Sequence, residues 1–82
     1  MNNIVMFNVA ANAFNWTSLA STPTVLSGQL FCDDANVNMR VSGGTPVEMP
    51  RGRSITFHRV DLSTVEILGS GATVMVVGGT WP

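Results

Sequence analysis

The chain has 82 residues, a net charge of −1, and charged residues at only 11%, against about 25% in an average soluble domain. One domain is the most this length holds, and it buries only about 60–65% of its unfolded surface. With 45% hydrophobic residues, it leaves apolar surface that calls for a partner, so the chain is expected to work as a homo-oligomer or docked on a larger body.

Four arginines and no lysine give no basic patch of the kind nucleic-acid binding needs. No run reaches the roughly 18 apolar residues that span a membrane. The start, Met1-Asn2-Asn3-Ile4, lacks the positive region and long apolar core of a signal peptide, so synthesis in a cytoplasm is expected. The single Cys32 excludes an intrachain disulfide and reads as a small buried hydrophobe. As a nucleophile it would need a base, and the sequence holds one histidine, His58.

In chain order, residues 4–10 alternate Val5, Phe7 and Val9 against Ile4, Met6 and Asn8, the period of a strand. One face is fully apolar and the other mostly so. Asn8, Asn12 and Asn15 weaken a helical reading, which survives only as a short alternative over 9–14. Residues 11–24 have no strong period, and 18–24 read as a loop around Pro23. This segment either packs back over its own sheet as an arm or extends onto a neighbouring subunit. Phe14, Trp16 and Leu19 are its anchors in both cases.

Residues 25–32 carry a Ser27-Gly28 break, which fits two short strands or one bulged strand. Asp33-Asp34 reads as a solvated turn. A calcium loop would need more oxygen ligands than Asn36 and Asn38 can add. Over 36–42, Val37, Met39 and Val41 face inward. Gly43-Gly44 is expected to turn a hairpin into 45–49, which Pro46 and Pro50 confine to a sheet edge. Arg51-Gly52-Arg53 forms a turn, either solvated or set against an acidic partner surface.

Residues 54–79 hold the clearest pattern: three strands, with Asp61-Leu62-Ser63 and Gly69-Ser70-Gly71 as tight connections, the second a hairpin. Val74 and Val76 oppose Met75 and Val77, so the last strand is expected to be covered on both sides. Trp81 should cap the core or dock on a partner.

Together these give an all-β fold, a small antiparallel β-sandwich or barrel of six to seven short strands. Residues 1–24 form an irregular N-terminal strand and arm, and residues 25–82 form the core. No nucleophile, base or metal set assembles from the pattern, and the glycine pairs lack the form of a phosphate loop. The expectation is therefore a non-enzymatic protein with no cofactor and no metal. Phe14, Trp16, Leu19, Arg51, Arg53 and Trp81 are its partner-facing candidates. Trp16 or Trp81 stacking on a sugar ring gives the alternative, a carbohydrate-binding or receptor-facing module.

The cadence PRGRSITFHRVDLSTVEILGSGATVMVVGG, Pro50 to Gly79, resembles a run in small structural proteins of tailed bacteriophages. It covers about a third of the chain and consists of turn and strand residues. The resemblance implies a capsid decoration (cement) or head–tail accessory protein of the virion. Such a protein would be a homo-oligomer such as a trimer, seated on the major capsid protein, and no catalytic residues come with it.

Overall fold

Alternation of apolar and polar residues becomes eight strands in the protein, seen in a computed structural model that describes residues 3–32 and 35–80. They are β1 (Asn3–Ala10), β2 (Thr17–Ser18), β3 (Val25–Cys32), β4 (Val37–Val41), β5 (Val47–Met49), β6 (Arg53–Asp61), β7 (Val65–Leu68) and β8 (Thr73–Thr80). No helix forms over 9–14. The strands make two four-stranded antiparallel sheets, ordered β1-β8-β3-β6 and β2-β7-β4-β5. The first, the large sheet, has strands of 8 or 9 residues, and the second, the small sheet, has strands of 2 to 5.

Their inner faces meet as a sandwich. Leu26, Leu30, Cys32, Val74 and Val76 of the large sheet pack on Val37, Met49, Val65 and Ile67 of the small one. β1 pairs with β8 along its whole length. Residues 3–10 are thus built into the sandwich rather than hung from it as an arm.

Residues 54–79 do not form the expected meander. β6 lies in the large sheet, β7 in the small one and β8 in the large one again. Of all consecutive strands, only β4 and β5 pair with each other. The physical reason is an apolar residue inside each connection. Leu62, in a 3-10 turn over Leu62–Thr64, is fully buried, and so is Ala72 beyond Gly71. A hairpin would leave these side chains in water; an arch between sheets puts them in the corner of the core.

Asp61 caps the first arch. Its Oδ1 accepts from the Thr24 amide at 3.0 Å, from the Ser63 amide at 3.0 Å and from the Ser63 hydroxyl at 2.8 Å. The Leu62 amide in turn donates to the Thr24 carbonyl at 2.9 Å. Those donors, the Thr24 amide first and then Ser63, hold the Asp61 carboxyl below its ordinary pKa.

The bulge near Ser27 and Gly28 belongs to β6, not β3. Leu26 faces Val60 and Gly28 faces Phe57, so Ser27 stands opposite both His58 and Arg59. Arg59 adopts φ 51°, and its amide donates to the Ser27 hydroxyl at 2.8 Å. Gly28 serves close approach instead: a Cβ there would collide with the Val77 carbonyl oxygen and lie 2.5 Å from the Gly78 Cα.

The turn after β4 comes one residue earlier than expected. Its central residues are Ser42 (φ 51°) and Gly43 (φ 72°), and the Gly44 amide closes it on the Val41 carbonyl at 2.9 Å. β5 is an edge strand, as its prolines dictate. Within it Met49 is buried and Val47 is exposed, and in β4 Val41 is exposed although it faces the inner side. On β8 only the inner face is buried within the chain; Met75 and Val77 stay half-exposed. Asp33, Asp34 and Trp81 lie outside the described residues.

Candidate functional site

Three surfaces follow from this architecture. The first is the loop of residues 11–16, which joins β1 to β2. Asn12 organises it: its side-chain Oδ1 accepts from the Phe14 amide at 2.7 Å and the Asn15 amide at 3.1 Å. Its carbonyl accepts from the Gly69 amide at 3.0 Å. This Asx turn fixes the backbone and leaves Phe14 91% exposed. A phenyl ring held in water on a loop whose backbone is anchored presents apolar area without a backbone ordering cost on binding.

Trp16, two residues on, behaves differently. The Arg40 guanidinium sits 4.1 Å from its ring centroid, and Arg40 Nε donates to Glu66 Oε1 at 2.8 Å. One face of the indole is therefore taken, and that face is closed to a sugar ring. Leu19 is 3% exposed and belongs to the core. Of the three expected anchors, the structure thus leaves Phe14 alone projecting, with Trp16 half-buried beneath Arg40.

The second surface is a groove at the opposite side of the molecule. The strands of the small sheet are shorter than those of the large one, and a groove opens between β5 and β6, an edge strand of each. The opening holds about 480 Å³ and is lined mostly by Met39, Val41, Val47, Met49, Pro50 and Ile55, with Arg40, Glu48 and Arg53 among the lining. Val47 is 68% exposed there. Arg53 thus joins an apolar groove. Arg51 remains on the exposed turn, whose amide donates to Asn36 Oδ1 at 2.8 Å.

The third surface is the outer face of the large sheet. Register places Ile4, Met6, Asn8 and Ala10 of β1 beside Met75 and Val77 of β8, and Gln29 and Phe31 of β3 beyond them. Ile4 is 81% and Met6 65% exposed. No charged residue occurs among these positions of β1, β3 and β8; β6 continues the face with Thr56 beside Gln29 and His58 beside Ser27. Sequence reasoning missed this face, although the alternation of β1, apolar on both sides, was its signal. The groove had no such signal, because it forms only where the edge strands of the two sheets meet.

Cys32 and His58 do not meet. The thiol is buried between the sheets and donates to the Ala35 carbonyl at 2.6 Å, while His58 is exposed beside Ser27, its Nδ1 3.3 Å from the hydroxyl. Among the described residues no three His, Cys, Asp or Glu side chains group as a metal site, and no helix is long and apolar enough to cross a membrane. Comparison with family models, with curated proteins and with solved structures returned no match.

Proposed function

We propose that this chain is a non-enzymatic structural subunit of a virion, of the capsid decoration or head–tail accessory kind. It works by laying the outer face of its large sheet on a larger protein lattice. The observation that carries the docking is that face itself: Ile4, Met6, Phe31, Met75 and Val77 without a charge among them. The virion setting rests on the resemblance of Pro50 to Gly79 alone.

The mechanism is mechanical. Apolar area removed from water contributes about 25 cal/mol per Å², less the cost of association. Repetition over a lattice multiplies the surplus, so the shell resists separation at each seat.

The test starts from genomic context: where a major capsid gene lies beside this one, shells are assembled from its product. The protein is expected to co-sediment with them, and Met6→Arg is expected to abolish retention. Asn38→Arg, on the outer face of the small sheet, should leave retention intact. Failure to co-sediment, or equal loss with both substitutions, overturns the reading.

A further inference from the structure

We infer that copies of this chain join head to tail, the Phe14 ring of one copy seated in the groove between β5 and β6 of the next. The inference rests on the proposed structural role only in taking the chain to act in many copies. It concerns a different surface from the one that meets the lattice.

Placement comes first. The 11–16 loop joins β1 and β2, which are edge strands of the large and small sheets. The groove lies between β6 and β5, the opposite edges of the same two sheets. Knob and hole thus stand on opposite sides of one molecule. A contact between them is heterologous, so it closes into a ring if the rotation permits and otherwise propagates. A two-fold pair would have to seat each knob in the other copy's groove at once, which their placement on opposite edges prevents.

Fit comes second. A phenylalanine side chain presents about 150–250 Å² for burial, and an opening of about 480 Å³ has room for the ring and the neighbouring Ala13. The lining is mostly apolar, with Glu48 and Arg40 set among Met39, Val41, Val47 and Ile55, and Met39 and Met49 supply adaptable side chains. The knob brings no charge into it: residues 10–15 are Ala, Ala, Asn, Ala, Phe and Asn. Arg53 at the lip forms no ion pair among the described residues and can lie over the seated ring.

The full chain is examined by sedimentation equilibrium and native mass spectrometry, without shells. The wild type is expected at a multiple of 8.7 kDa. Phe14→Ala and Val47→Arg should each weaken association roughly 30-fold or more, as loss of a hot-spot residue does. Both side chains stand in solvent in the single copy, so the thermal midpoint of the dissociated chain should hold.

Mixing the two variants is the decisive arm. Phe14→Ala keeps only its groove and Val47→Arg only its knob, so the mixture should form a 1:1 pair and nothing larger. A monomeric wild type overturns the inference. So does wild-type mass in either variant, which would assign the groove to another occupant, or a mixture that rebuilds the full assembly. Shell retention through Met6 is read separately, so failure here leaves the docking face standing and failure there leaves this contact standing.

Discussion

The two sheets of this sandwich solve the same problem in different ways. The large sheet has four long strands, β8 bonded on both sides by β1 and β3, with its ladders broken only at the β6 bulge. It is apolar inside, and its outer face also carries apolar residues. The small sheet has strands of 2 to 5 residues and too few ladder bonds to stand alone. Its outer face carries Asn38, Arg40, Glu48 and Glu66. One sheet is a backbone-built wall with unspent apolar area; the other is a polar lid fastened by side chains. The difference teaches where partners belong: a face that needs no solvent-side charge to stay folded is free to be a docking face.

The sharpest way to break this comparison is to loosen the lid. Ile67 is fully buried at the middle of β7 and faces both Thr17 of β2 and Met39 of β4. Ile67→Ala should cost about 2–5 kcal/mol, the range for truncating a buried isoleucine, read as a lower urea midpoint. That is a large share of the about 5–15 kcal/mol that holds a small domain. A cost below about 1 kcal/mol would mean that the large sheet does not depend on its lid.

The arch between the sheets gives a smaller, pH-dependent effect. Asp61 is bonded to the Thr24 amide, the Ser63 hydroxyl and the Ser63 amide, and its pKa lies below the ordinary value. The stabilisation it gives is present above the unfolded pKa of about 3.9. It is lost as pH falls from there through the native value, because the unfolded chain then binds the proton first. Stability should therefore decline on acidification through that window. Asp61→Asn keeps an oxygen acceptor and should flatten this decline while lowering the thermal midpoint at neutral pH. An unchanged acid limb in the variant would sink the assignment.

The same arch shows what the sequence could and could not tell. Strand positions were legible because burial of one face imposes period two, and Val65 and Ile67 or Val74 and Val76 state it plainly. The edge position of β5 was legible because a proline has no amide to donate. Partner choice was not legible. Turn chemistry alone reads Asp61-Leu62-Ser63 and Gly69-Ser70-Gly71 as local reversals, and only the apolar Leu62 and Ala72 within or beside them point to a crossing between sheets. Phe14 was named from its size and irregular setting, but the same reasoning named Leu19, which the core absorbs. The groove was beyond reach, since Ile55 and Val47 are ordinary strand residues until the edges of the two sheets meet. Trp81 lies outside the described residues, and its expected docking stays a sequence expectation.

The smallest effect sharpens how the lid is fastened from outside. Trp16 precedes β2, the shortest strand, and Arg40 reaches over it from β4 while bonding Glu66 of β7. Three segments are tied by one guanidinium. Arg40 and Glu66 remain about a quarter exposed, at 26% and 24%, so solvent screens both interactions. A double-mutant cycle of Trp16→Ala and Arg40→Ala should give a coupling of about 0.5–1 kcal/mol. The Arg40–Glu66 pair should add about 0.2–1 kcal/mol, shrinking as salt is raised. Lysine at position 40 should recover the charge but not the coupling, because an ammonium lacks the planar surface that stacks on indole. Zero coupling would mean that Trp16 is held by its buried edge alone, and the lid would then depend on Ile67 and the arches without an external clasp.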